Sequence, residues 1–300
     1  MLKPIFRNLL IVSIILKALS FSQNMEYVAV QNGNFYLGGN KFFPLGTNAY
    51  YLHKYAACGD TNSINSLFAE MRNLGMNCVR TWAFSEGNNP NDIFTLHYSP
   101  YGYNDESFKK LDYVIYTAGK YNLKVILSLV NNWDDFGGMS QYLKWFSSGL
   151  HKESADSFQA KKVFSNTGVA EFYSEKVSEK LTHDDFFRID TIKKWYKSYV
   201  GYLLKRINSF SRISYLNDKT IMAFELANEP ESSDKSGKLI YDWISEMAEH
   251  FKSIDKNHLL GTGESGFDIN NNGYGKYPSW LINGEKGVSF RLNSTIKEID

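Results

Sequence analysis

From residue 45 onward, short apolar or aromatic runs alternate with longer amphipathic stretches. The runs at 45–50, 78–83, 125–130, 221–229 and 258–263 have strand length and are bounded by Gly, Asn or Pro. Between them, residues 62–74, 106–121, 185–209 and 238–254 repeat apolar side chains at three- and four-residue spacing. This predicts helices, the first closed by Gly75 as its C-terminal cap. Ahead of the alternation, short predicted strands at 27–30, 35–37 and 42–43 are joined by Asn32-Gly33 and Gly38-Gly39-Asn40 turns, which reads as a small hairpin. Residues 133–183 interrupt the pattern with Gly, Ser, weak helical patches and the rings Trp133, Tyr142, Trp145, Phe146, Phe172 and Tyr173. A connection of that length is usually functional or disordered, and its rings predict an ordered wall facing substrate. After Asp268, Asn- and Gly-rich turns lead into 280–300, where no further strand is predicted.

Five strand-and-helix repeats without a linker imply an α/β chain with a parallel sheet, either doubly wound or a barrel. No Gly-rich phosphate loop follows the first strand, which argues against a nucleotide fold. Amide and charged residues recur instead at strand C-termini: Asn48, Arg80, Asn131, Asn132, Asn228, Glu229 and Glu264. A barrel would gather all of them on one face.

Composition narrows the partner. A formal charge of +1, from 33 basic and 32 acidic side chains, offers no field for nucleic acid or an anionic membrane. The expected partner is neutral, and a 16% aromatic content suits sugar faces as well as a core. Lys3 and Arg7, an apolar run at 9–16 and small residues at Ala18, Ser20 and Ser22 have the order of a secretory signal. We expect residues 1–22 to be removed and the remainder to be secreted; a membrane anchor is the alternative, and Lys17 weakens both. Cys58 and Cys78 form no disulfide framework and no metal-ligand spacing; they can pair in an oxidising compartment or stay free, and the place of Cys78 in a predicted core strand favours free. The sequon Asn293-Ser294-Thr295 is usable only where secreted proteins are glycosylated.

Glu229 stands before Pro230, which cannot continue a central ladder, so it is expected as the last residue of its strand. That position suits either a catalytic acid or a strand-ending carboxylate facing water. Glu225 lies four residues earlier, about 13 Å along an extended strand, too far to be its catalytic partner. Retaining glycoside hydrolysis needs carboxyls about 5–5.5 Å apart, and inverting hydrolysis about 6.5–9.5 Å. By position, Glu264 is the one acid at the end of a later strand and is the candidate nucleophile on this reasoning. Arg80 and Trp82 share a strand face, so Arg80 can hold a carboxylate while Trp82 stacks on a sugar, or the two can form a structural ion pair above a core ring.

The motifs G-T-N-A-Y-Y-L at 46–52, R-T-W-A-F at 80–84, N-N-W-D-D-F-G-G at 131–138, H-D-D-F-F at 183–187, E-L-A-N-E-P at 225–230 and G-T-G-E-S-G-F at 261–267 occur in one order. Together they resemble the endo-β-1,4-mannanases of glycoside hydrolase family 5. The resemblance implies a (β/α)8 barrel and a retaining mechanism on β-1,4-linked mannose backbones. It makes Glu229 the acid/base, with a raised pKa. It gives Asn228 the sugar 2-hydroxyl, Arg80 support of the nucleophile, and Trp82 and Trp133 the sugar subsites. It places Glu264 in the lining of the site rather than as nucleophile, because the family's nucleophile is a glutamate at the end of strand seven. That glutamate, a His-x-Tyr on strand six and a Trp on strand eight are absent before Asp300. Glu231 stands where many members carry Arg, which puts a leaving-group subsite built on that Arg in question.

The expectation is therefore a family 5 catalytic barrel over 23–300, incomplete after about five β/α units, acting on β-mannan without metal, nucleotide or redox cofactor. The alternatives are another family 5 β-1,4-glycanase, acting on glucomannan or cellulose, and a non-catalytic carbohydrate-binding protein. The complete enzyme is expected to be a monomer. The 300-residue chain is expected to be inactive and, with sheet edges unpaired, unstable or prone to aggregate.

Overall fold

The computed structural model describes residues 26–149, 181–269 and 284–300. Residues up to Phe43 and residues from Pro44 onward are two compact units. The first holds β1 (Ala29–Gln31), β2 (Asn34–Leu37) and β3 (Asn40–Lys41), an antiparallel meander. Its third strand lies two residues earlier than the predicted 42–43. Asn40 rejoins the ladder opposite Leu37 directly after two left-handed glycines, Gly38 and Gly39.

The second unit contains a five-stranded parallel sheet of β4 (Gly46–Asn48), β5 (Cys78–Trp82), β8 (Lys124–Ser128), β9 (Ile221–Glu225) and β10 (Leu259–Gly261). Spatial order follows chain order, with each strand added beside the one before it. A doubly wound sheet reverses direction once and a barrel does not, so this winding is of the (β/α)8 type. Val79, Val125, Leu127, Ile221 and Phe224 are fully buried in one core cluster with apolar positions of the intervening helices. Burial on the helix side explains why these strands read as apolar runs. Gly46 is required by proximity, since a Cβ there would lie 2.0 Å from the Cys78 carbonyl oxygen.

The predicted helices are present as Thr61–Asn73, Asp105–Lys120 and Lys238–Ile254. Asp60 and Asn104 cap the first two by accepting the Ser63 and Ser107 amides, and Gly75 has the predicted left-handed conformation. The predicted helix 185–209 is two, Asp185–Arg188 and Asp190–Lys205, split by extended Ile189. The longer one ends because Arg206 turns inward to buried Asp112, at 2.8 and 2.7 Å, and to Asp105 at 2.9 Å. Absent from the prediction are a short helix, Leu52–Ala57, and the hairpin of β6 (His97–Ser99) and β7 (Gly102–Tyr103).

Two further expectations change. The 133–183 segment begins with a helix, Gly138–Ser147, whose Tyr142 and Trp145 are core side chains rather than a substrate wall. Phe172, Tyr173 and the predicted signal lie outside the described residues. Asn293 is fully buried, so the sequon is closed to modification in the folded chain. Cys58 is exposed, Cys78 is buried, and both are free. Among the described residues no helix is long and apolar enough to cross a membrane.

Candidate active site

The strand registers build the floor of the site. Trp82, Ser128, Glu225 and Gly261 occupy one row across the sheet, and Arg80 stands two rows below, beside Ile126 and Ala223. Residues two apart on a strand share a face, which puts Arg80, Trp82, Ser128 and Glu225 together. Arg80 Nε donates to both Glu225 oxygens at 3.0 and 2.8 Å, its Nη2 lies 2.6 Å from Oε2, and Ser128 Oγ donates to Oε2 at 2.5 Å. The remaining guanidinium donors reach Asn228 Oδ1 at 2.9 Å and Asn48 Oδ1 at 3.4 Å. Sequence spacing shows Glu225 only as too distant to pair with Glu229; in the fold it is the acid that holds Arg80.

β9 ends at Glu225, four residues before the expected end at Glu229. Beyond it the chain leaves the regular ladder. Asn228 N–H donates to Val130 O at 2.7 Å and Glu229 N–H to Gly263 O at 2.9 Å. Glu229 has φ 52°, so the strict alternation that would set Glu225 and Glu229 on one face does not extend to it. Asn228 is buried and fixed on both sides, accepting from Arg80 and donating to Asn131 Oδ1 at 2.9 Å. The Glu229 carboxylate accepts the Trp133 indole N–H at 2.7 Å.

Trp133 is 43% exposed, and half-exposed Tyr50 packs on Trp82 with ring centroids 4.8 Å apart. Trp82 is mostly enclosed, stacked on Phe84 at 4.7 Å and edge-on to Phe136 at 4.9 Å. Beyond Trp133 a cavity of about 780 Å³ is lined by Asn132, Asp134, His183, Glu231 and Ser232 among others. Glu231 is paired there with Lys286 at 3.0 Å, so a cation does reach the position after Asn-Glu-Pro, from another segment. Glu264 stands apart from the Arg80 network, bonded to Thr262 Oγ1 at 3.0 Å and Asn293 Nδ2 at 3.2 and 3.3 Å. Burial pushes its pKa up, the opposite of what a nucleophile requires. Among the described residues no group of three or more His, Cys, Asp or Glu is placed to hold a metal ion.

A convergence of Arg, Asn and Glu at strand C-termini is shared by many barrels, so comparison with known proteins decides the family. The family model described as "GH family 5 beta-mannosidase-like" matches residues 25–274. The chain belongs to glycoside hydrolase family 5. It is 38% identical over 243 residues to mannan endo-1,4-beta-mannosidase 1 of Oryza sativa subsp. japonica, covering 80% of this chain and 49% of that protein. Mannan endo-1,4-beta-mannosidase 7 of Arabidopsis thaliana is 35% identical over 278 residues, covering 91% of this chain and 56% of that one. Among solved structures, the endo-beta-1,4-mannanase of Thermotoga petrophila superposes with a TM-score of 0.70 at 33% identity, covering 87% of this chain and 52% of that chain. The family 5 chain thus spans about half the length of the curated relatives it matches. The barrel-type fold read from the strand order agrees with these family 5 neighbours.

Proposed function

We propose that this family 5 chain is part of a secreted, retaining endo-β-1,4-mannanase in which Glu229 is the acid/base. One observation carries the reading: the Asn228-Glu229 turn is set over the C-terminal ends of a parallel sheet, with Asn228 anchored on Arg80 and Glu229 met by an exposed indole N–H. In such a reaction Glu229 gives a proton to the leaving glycosidic oxygen while a second carboxylate bonds to the anomeric carbon. Glu229 then takes a proton from the water that releases the glycosyl-enzyme. Asn228 presents an amide to the sugar 2-hydroxyl, and Trp133 and Trp82 offer apolar faces to the rings. Neither Glu225 nor Glu264 suits the nucleophile: the first is tied to Arg80 and Ser128, and the second favours its proton. We place the nucleophile outside the described residues. Secretion is supported by the basic, apolar and small segments that open the chain.

The test is release of reducing ends from β-1,4-mannan by the chain and by any longer product of the same gene. Glu229→Gln should lower kcat by about 10²–10⁴-fold, the usual contribution of general acid/base catalysis, while mannohexaose binding changes little. Hydrolysis that survives Glu229→Gln overturns the assignment. Faster release from cellulose or a mixed glucan overturns the choice of mannan.

A further inference from the structure

Glu86 follows β5 and is 5% exposed, a buried acid with no part in the chemistry proposed above. It is bound to the turn that carries Trp133. The Glu86 amide donates to Phe136 O at 2.8 Å, and its Oε2 accepts the Gly138 amide at 3.0 Å. Phe136, Gly137 and Gly138 are consecutively left-handed, with φ 61°, 92° and 58°. A Cβ on Gly137 would lie 2.2 Å from Glu86 O, and one on Gly138 2.2 Å from Trp133 O. The turn is therefore pressed between Glu86 and the Trp133 backbone, and its form depends on what Glu86 offers.

We propose that Glu86 is a positioning residue for the active site: its side-chain oxygen holds the 133–138 turn in the one form that aims the Trp133 indole N–H at Glu229. The functional meaning rests on Glu229 being the acid/base; the structural claim does not. The groups facing Glu86 support it. Tyr142 comes from the Gly138–Ser147 helix, and Tyr196 and Tyr199 come from the Asp190–Lys205 helix. His97 of β6, in contact with Tyr142 and Tyr199, is kept neutral by burial. No cation is among the causes that set the Glu86 carboxyl, whose Oε1 has no partner among the described residues. Burial pushes its pKa up to about 8, so at neutral pH it is an uncharged acid. Above that pH a carboxylate without a counter-ion would form under the turn.

The probe is ¹⁹F NMR of the whole chain labelled with 5-fluorotryptophan, its six Trp resonances separated by assigning Trp133 through Trp133→Phe. Glu86→Leu fills the pocket with an apolar group and should move the Trp133 resonance, together with that of Trp82, which packs on Phe136 of the same turn. Glu86→Gln keeps an acceptor oxygen for Gly138 and should restore it. From pH 6 to 10 the wild-type Trp133 resonance should titrate near pH 8 and that of Glu86→Gln should not. A Trp133 resonance unmoved in folded Glu86→Leu overturns the proposal. If Glu86→Leu does not fold, the titration decides: a wild-type resonance that stays flat, or one that moves equally in Glu86→Gln, overturns it. None of these outcomes depends on turnover. Loss of hydrolysis in Glu229→Gln tests the acid/base reading separately.

Discussion

Arg80 enters the site with 20% of its side chain exposed, and Glu225, 17% exposed, is the acid paired with it at 2.6 Å. Two N–H donors of a planar guanidinium meet one carboxylate, so the pair fixes direction as well as charge. Asn228 is oriented by the same guanidinium, so the amide we propose for the sugar 2-hydroxyl is set in part by the acid that holds Arg80. Removing Glu225 leaves a partly buried cation unpaired. Breaking a fully buried pair costs about 3–5 kcal/mol, and the residual exposure here brings the expectation to about 2 kcal/mol. Glu225→Ala should lower the unfolding free energy from urea titration by that amount, seen as a lower midpoint, and Glu225→Gln, which keeps one acceptor, by less. An unchanged midpoint in Glu225→Ala would mean that solvent already screens Arg80. The sequence placed Arg80, Trp82, Asn228 and Glu229 in one site because strand ends and motifs are local signals. It did not pair Arg80 with Glu225, because 145 residues separate them and only the register across β5, β8 and β9 brings them together.

Among the elements, those with an apolar stripe were legible and those made by one polar contact were not. The Lys238–Ile254 helix buries Ile240, Trp243, Ile244, Met247 and Phe251 at helical spacing, and its observed bounds equal the predicted ones. The Leu52–Ala57 helix is too short to show a period, and its place is set in part by His53, whose Nε2 lies 3.0 Å from Ser107 Oγ and 3.2 Å from Ser107 O on the Asp105–Lys120 helix. Burial holds His53 neutral, its pKa lowered from 6.5 to about 4. The unfolded chain then binds this proton first as pH falls. The His53 contribution is fully present above pH 6.5 and is lost between there and about pH 4, at about 1.4 kcal/mol per pH unit. His53→Gln retains an amide for Ser107 and cannot titrate. Its stability measured against wild type should therefore rise as pH drops from 6.5 to 4.5. A constant difference over that range would show that His53 does not titrate on unfolding. The β6–β7 hairpin escaped prediction for a similar reason: its three- and two-residue strands leave no alternation to read.

Across the whole sheet the two outer strands differ. The backbone of β10 is covered by the last residues of the chain: Asp300 N–H donates to Leu260 O at 3.0 Å and Leu260 N–H to Asp300 Oδ2 at 2.9 Å, with Lys252 on the same carboxylate. β4 has β5 on one side and no strand on the other among the described residues; its three residues are exposed, and Leu45 before it is 54% exposed. An open strand beside an apolar side chain is a template for pairing with another chain, and barrels remove it by closing. The covered β10 edge was not foreseen, because nothing local links Asp300 to a strand 40 residues earlier. The 300-residue chain should therefore self-associate through β4 rather than through both edges. Light scattering after gel filtration should give a mass that rises with concentration. Leu45→Lys places a charge at this edge and should reduce that rise, whereas Asp300→Ala, at the covered edge, should increase it by freeing Leu260. A mass that stays monomeric at all concentrations would show that the β4 edge is protected in solution. A rise unaffected by Leu45→Lys would move the contact elsewhere, and the exposed Ile207, Phe210 and Ile213 near the end of the Asp190–Lys205 helix would be the next surface to change.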